Sequence, residues 1–213
     1  MPRIALIHAL AHSVEPANRA FARDWPEAER INLLDDSLSA DRARVGRGLD
    51  EAMHARFAAL GDYAVSTGAQ AILFTCSAFG PCIEAVARRH AGIPVLKPNE
   101  AMIEDATRQR ERVGLVVTFP PTLRSMPAEF PADTRPDLEL AEGALRALDA
   151  GDVDGHDAAI VAAALRLRER GCGLIALAQF SMARAAPAVA AACGLPVLTT
   201  VDSAIAAIRR RLG

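Results

Sequence analysis

The chain contains one unit twice. Gly68-Ala-Gln-Ala-Ile-Leu-Phe-Thr-Cys-Ser-Ala-Phe79 is echoed by Gly171-Cys-Gly-Leu-Ile-Ala-Leu-Ala-Gln-Phe-Ser-Met182. Ala85-Val86-Ala87 returns as Ala188-Val189-Ala190, and Gly92-Ile-Pro-Val-Leu96 as Gly194-Leu-Pro-Val-Leu198. Arg3-Ile-Ala-Leu-Ile7 resembles Arg112-Val-Gly-Leu-Val116, and Phe21 falls opposite Phe130. Residues near 1–100 and 111–205 are therefore two copies of one folding unit. Copies that face each other across a cleft bring matching positions to opposite sides of one bound molecule. At the most informative matching position they differ, with Cys76 in the first copy and Gln179 in the second.

Each copy alternates short apolar runs with helical patterns. In the first, strands are expected at Arg3–His8, Arg30–Leu34, Ala71–Thr75 and Ile93–Leu96, with helices at Pro16–Arg23, Leu49–Thr67, Pro81–His90 and 100–110. Asp35–Asp41 reads as a polar loop, Gly68 as a helix stop and Asn99 as a cap. The second copy has strands at Val113–Thr118, Leu138–Ala141, Leu174–Ala178 and Pro196–Leu198. Its helices are Asp157–Arg170, Met182–Ala192 and Ser203–Leu212, and Pro120-Pro121 breaks the chain in a loop. This order predicts an α/β protein built as a pseudo-two-fold pair of Rossmann-like lobes, each a parallel sheet flanked by helices with right-handed crossovers. Residues 1–98 with 203–213 form the first lobe and 99–202 the second.

At 213 residues and 51% hydrophobic side chains the chain can bury a sizeable core, filled by small aliphatics since aromatics are only 4%. A net charge of −2 argues against general nucleic-acid binding. Cys76, Cys82, Cys172 and Cys193 form no C-x-x-C pair and no zinc spacing, so free thiols in a reducing cytoplasm are expected. Residues 4–11 are too short and too interrupted by His8 for a signal segment. No apolar run reaches the ~18–20 residues that span a bilayer.

Ligands of parallel sheets bind at the carboxyl ends of the strands. There stand His8 to Ser13, Thr75 to Phe79, Lys97 to Glu100, Thr118 to Thr122, Ala178 to Met182 and Thr199 to Asp202. Cys76 sits where a strand turns into a helix, a place whose field lowers a thiol pKa; fast alkylation near neutral pH is the expectation. Thr75, Ser77, Thr118 and Ser181 offer hydroxyls to a carboxylate. His8 could exchange protons near neutrality; His12, Glu100, Asp202 and Thr122 are weaker candidates. Lys97, the only lysine, lacks the Gly-rich phosphate cradle that would go with a Schiff-base cofactor.

In this order and spacing, Ile72-Leu-Phe-Thr-Cys-Ser77, Pro94-Val-Leu-Lys-Pro-Asn-Glu-Ala-Met102, Val113-Gly-Leu-Val-Val-Thr118 and Leu177-Ala-Gln-Phe-Ser-Met182 resemble the aspartate/glutamate/hydantoin racemase superfamily over nearly the whole chain. The resemblance implies an enzyme without a cofactor, acting on a carbon beside the carboxylate of a small acid. Racemising members place one cysteine on each face of that carbon. The first carries over onto Cys76; the second falls at Gln179, whose amide does not titrate. The superfamily also holds arylmalonate-type decarboxylases, which need one thiol, and maleate isomerases. The expected site is Cys76 and His8 for proton transfer, with Thr75, Ser77, Ala78, Thr118, Gln179, Phe180 and Ser181 on the substrate. No metal, nucleic-acid or membrane partner is expected, and a homodimer or higher homo-oligomer is left open. The reading of another class is a small-acid binding protein that lost catalysis with its second cysteine.

Overall fold

The computed structural model describes residues 1–45 and 49–213, which fall into two units: Met1–Asn99 with Ala204–Gly213, and Glu100–Ser203. The first contains β1 (Arg3–His8), α1 (Val14–Asp24), β2 (Glu29–Leu34), α2 (Ser37–Val45), α3 (Glu51–Ser66), β3 (Ala71–Phe74), α4 (Gly80–Arg89) and β4 (Val95–Leu96). Its four strands are parallel in the order β2-β1-β3-β4. After the lead-in residue Arg3, β1 is buried throughout, as a strand with both faces covered must be. Phe57 of α3 stacks on Phe74 at 5.4 Å and meets Phe79 at 5.0 Å between ring centroids. These rings lie in the core beside Ile72, Ile83 and Val86. Aromatic pairs of this kind add about 0.5–1.5 kcal/mol to their burial. Here they fasten the turn that follows β3.

The second unit runs α5 (Glu100–Gln109), β5 (Val113–Val117), α6 (Thr122–Ser125), β6 (Asp137–Leu140), α7 (Ala144–Asp149), α8 (Val153–Glu169), β7 (Leu174–Leu177), α9 (Ala186–Cys193) and β8 (Val197–Thr199). A last helix, α10 (Thr200–Leu212), starts in this unit and ends in the first. The sheet is again parallel, β6-β5-β7-β8. α8 lies close on β5: a Cβ added at Gly114 would stand 2.9 Å from Leu167 Cβ. The α/β class with two parallel sheets flanked by helices is as the sequence predicts. Among the described residues no helix is long and apolar enough to cross a membrane.

The same structural devices recur in both units. Asp50 caps α3 by accepting from Met53 N at 2.9 Å, and Asp152 caps α8 by accepting from Gly155 N at 2.9 Å. α3 and α8 both leave through a left-handed glycine, Gly68 at φ +82 and Gly171 at φ +86. Arg3 donates to the Thr67 carbonyl and pairs with Glu29; Arg112 donates to the Arg170 carbonyl and pairs with Asp137.

Two local expectations fail, and one helix is not anticipated. The polar stretch Asp35–Asp41 is no loop: α2 begins at Ser37, held by Leu38, which is fully buried. Met182–Ala192 is not one helix, since a 3-10 segment fills Phe180–Ala185 and the α-helix begins only at Ala186. α7 is a short helix that the sequence reading passes over, entered through Gly143 at φ +79.

Candidate active site

In the first unit the strand register sets Ile7 beside Phe74 and His8 beside Leu34, so the chain ends of β1, β2 and β3 come level. Thr75 N donates to Ile7 O at 3.0 Å and extends the ladder by one rung. At these chain ends lies a buried polar network. His8 is fully buried; its Nδ1 is 3.0 Å from Thr75 Oγ1 and 3.2 Å from Ser13 Oγ, and its Nε2 is 3.0 Å from Asn32 Oδ1. The amide of Asn32 donates to Asn18 Oδ1 at 3.2 Å, which turns its oxygen toward the ring and gives Nε2 the proton. Ser13 Oγ donates to Leu10 O at 2.7 Å and accepts from Thr75 Oγ1 at 3.0 Å, so Ser13, Thr75 and Nδ1 form one closed hydroxyl–imidazole cluster. Burial lowers the His8 pKa below its ordinary value, only partly opposed by the Asn32 bond. Both ring nitrogens of His8 and the hydroxyl of Thr75 are thus taken up inside the protein.

Cys76, the residue after Thr75, is half-buried and packs against the apolar core of the unit. The predicted lowering of its pKa is reversed: burial pushes the thiol up. The Ala78 N–H, the Arg42 guanidinium and the Ser39 hydroxyl pull the other way without offsetting it. The local geometry explains the reversal. Cys76 leads into a single 3-10 turn, Ser77–Phe79, and the α-helix starts only at Gly80, so the sulfur lies outside the first turn where a helix field acts.

Arg42 was not singled out by the sequence because α2 was read as loop. Once α2 is a helix, Ser39 and Arg42 stand at i and i+3 on one face, and both act on Cys76. The Arg42 guanidinium lies 5.2 Å from the centre of the Phe79 ring, and its Nη1 is buried with no hydrogen-bond partner. A buried guanidinium nitrogen without a hydrogen-bond partner is costly and is relieved by an acceptor. α2 is held in place by Arg56, which pairs with Asp35 at 2.7 Å and Asp41 at 2.8 Å and donates to Ser37.

In the second unit, Gln179 follows β7 as Cys76 follows β3. Its Oε1 accepts twice from Thr118, from the backbone N at 2.7 Å and from Oγ1 at 2.8 Å. Thr118 therefore spends its hydroxyl on Gln179. Ser77 and Ser181 are half-buried at the two strand ends, Ala78 is exposed, and Phe180 is 2% exposed with its ring in the protein interior. His12 is exposed and Thr122 buried; Glu100 and Asp202 open α5 and α10. Lys97 Nζ donates to Glu84 at 2.8 Å. Cys82, Cys172 and Cys193 are buried free thiols. Among the described residues no cluster of three or more His, Cys, Asp or Glu could hold a metal ion. A cavity of about 350 Å³ opens at Glu139, Glu142, Ala159 and Arg166 and includes none of the predicted site residues.

The Asp/Glu/Hydantoin racemase family model matches residues 11–208. The chain belongs to this family. It is an enzyme of the Asp/Glu racemase superfamily. No curated protein matches its sequence. Among solved structures it is similar to the allantoin racemase from Klebsiella pneumoniae, at 20% identity and a TM-score of 0.75, covering all of this chain and 88% of that one. An aspartate racemase homologue from Pyrococcus horikoshii OT3 matches at 13% identity and a TM-score of 0.75, over 99% of this chain and 98% of that one. Unliganded arylmalonate decarboxylase matches at 16% and 0.69, over 100% and 94%. At these identities the likeness speaks for the fold of this family member.

Proposed function

We propose that this family member catalyses one-sided proton transfer at the carbon beside the carboxylate of a small acid, with Cys76 as the acid/base. The observation that carries the reading is the setting of Cys76, half-buried at the end of β3 with its pKa raised. A thiol that stays protonated through neutral pH is suited to deliver a proton to an enediolate. The thiolate left behind lies against the Ala78 N–H, the Ser39 hydroxyl and the Arg42 guanidinium, and regains its proton from water. Arg42, with a buried nitrogen lacking a partner, anchors a substrate carboxylate. Thr75 and Ser77 flank the thiol, and His8 acts as a positioning residue that fixes Thr75 rather than as a second proton carrier, because both its nitrogens are bonded. Four free thiols suit a reducing cytoplasm.

One thiol and a non-titrating Gln179 favour a net reaction that needs a single proton delivery. Decarboxylation of a substituted malonate is such a reaction: the bond to one carboxylate breaks, carbon dioxide leaves with the electron pair retained as an enediolate, and the Cys76 proton closes the carbon. Symmetric racemisation needs a second carrier. The test is a screen in heavy water over amino acids, 5-substituted hydantoins and substituted malonates, with wild type and Cys76→Ser. Wild type should label or decarboxylate one class, and Cys76→Ser should be slower by about 10²–10⁴-fold, the usual worth of general acid–base catalysis. Undiminished turnover by Cys76→Ser would overturn the reading. Binding without exchange or product in wild type would mark a small-acid binding protein instead.

A further inference from the structure

α2 has little of its own to hold it. It is nine residues long, and in Ser37–Arg42 only Leu38 is buried. Helices this short are marginal without tertiary support. The support is Arg56, which sits on α3 beside the core residue Phe57. Its guanidinium reaches three residues at once: Nη2 donates to Asp35 at 2.7 Å and to the Ser37 hydroxyl, and Nη1 donates to Asp41 at 2.8 Å. Ser37 in turn donates to Asp35, so the entry to α2 is tied off by a closed ring of bonds. Ser37 and Asp41, four apart, share one face of α2. Leu38 and Arg42, also four apart, form the next face, and Ser39 lies beyond them. The Arg42 guanidinium lies over Phe79, three residues after Cys76, and its Nη1 is buried without a hydrogen-bond partner among the described residues. Asp35, α2, Arg56, Cys76 and Phe79 all belong to the first unit.

We infer that Arg56 is a positioning residue for the Cys76 chemistry: by gripping Asp35, Ser37 and Asp41 it docks α2 so that Ser39 and Arg42 face the thiol. The inference rests on the proton-transfer reading above and adds the device that assembles the thiol's surroundings. Ser39 and Arg42 both act on the thiol, opposing the effect of its burial. A single ion pair at a surface is worth little. This one is a fork on two carboxylates and a hydroxyl, which fixes direction as well as distance. A lysine can hold one partner but cannot present the same planar fork. Without the grip, Leu38 alone ties Ser37–Arg42 to the core, and Arg42 is free to leave Phe79. Misplacing a binding group by about 1 Å can cost about 10²-fold in rate. The grip is not part of the shared frame. Counted from the caps Asp50 and Asp152, the position of Arg56 is Ala158 in the second unit, so only the unit that carries the thiol has it.

The test needs no turnover. Cys76 is alkylated with iodoacetate, which carries a carboxylate, and with neutral iodoacetamide, and the modification is followed by peptide mass, with Cys76→Ser as the control for site. A sulfur that merely becomes more exposed gains equally toward both reagents, so the ratio of the two rates reports the anion-binding groups beside it. In wild type this ratio should exceed that of free cysteine by about tenfold, the worth of one hydrogen bond to a charged group. Arg56→Ala should bring it down to the free-cysteine value, as Arg42→Ala should, and the double variant should fall no further. Arg56→Lys should lie between. Thermal unfolding of Arg56→Ala should stay near wild type, since the pairs it removes are partly exposed. Should that variant not fold, Asp41→Asn removes one arm of the grip from the other side and should lower the ratio in part. A wild-type ratio equal to that of free cysteine, an Arg56→Ala ratio equal to that of wild type, or additive losses from Arg56→Ala and Arg42→Ala overturn the inference. Failure of the proton-transfer reading shows separately, as turnover that survives Cys76→Ser.

Discussion

In the first unit, His8 ends β1 and Thr75 follows β3; in the second, the same rungs are Val117 and Ala178. The equivalence follows from the ladders, since Thr75 N donates to Ile7 O as Ala178 N donates to Val116 O, and Asp35 N donates to His8 O as Ala141 N donates to Val117 O. One unit thus ends its two central strands in a hydrogen-bonded polar cluster, the other in an aliphatic pair. The residues that come next along the chain differ as well: a thiol after the polar pair, an amide tied to Thr118 after the apolar one. The arginine clasps, aspartate caps and left-handed glycines are common to both units. The devices that hold each sheet and its helices together are the same in both units; the residues at the strand ends are not.

The largest effect should come from removing that divergence. Gln179→Cys supplies a titratable group where the amide stood and gives up its two bonds from Thr118. We expect wild type to place deuterium from solvent on one face of its product. Gln179→Cys should be slower overall yet label both faces, read as loss of enantiomeric purity in heavy water. A variant that keeps a single product hand would show that the asymmetry has another source.

A smaller effect concerns the polar cluster. His8 is buried as a neutral ring with a lowered pKa, so the unfolded chain binds its proton first. Its contribution to stability is complete above the ordinary histidine pKa of about 6.5 and is lost as pH falls below it. Thermal unfolding should show a decline on acidification that flattens in His8→Asn. That variant should also lose about 1–3 kcal/mol near neutral pH, because Asn32 and Thr75 forfeit buried partners. Val117 offers no such titration. An unchanged acid slope in His8→Asn would place the sensitivity elsewhere.

The smallest effect tests the shared frame. Arg3→Ala and Arg112→Ala remove matching clasps that are largely exposed. Their denaturant midpoints should move slightly and by similar amounts. A large difference between them would mean that the two frames are not mechanically alike.

Much of this was legible in the sequence. The repeat placed Cys76 and Gln179 at matching strand ends, and continuous apolar runs gave the central strands. α2 was not legible. Only Leu38 anchors its first turns to the core, and the acidic run around it looks like solvated loop, so Ser39 and Arg42 were missed. The direction of the thiol pKa was also out of reach. It depends on how deep the sulfur sits and on where the α-helix begins, neither of which a tripeptide such as Thr75-Cys76-Ser77 records. The bonded state of His8 depends on Asn32 and Asn18, far along the chain, whose side chains close the network only after folding. The paired caps Asp50 and Asp152, each followed by a histidine four residues on, were a readable sign of the duplication that the strand echoes overshadowed.

The amide at position 179 also has a genetic meaning. Glutamine and cysteine codons differ at every base, so no single nucleotide change returns a thiol to the second unit. Each intermediate codon must encode some other residue beside Thr118, with its hydroxyl and N–H deprived of the oxygen they now share. Lineages carrying this arrangement are therefore shielded from casual reversion. A glutamine at this strand end can then be inherited as a stable trait of the second unit, whatever the first unit carries after its own β3.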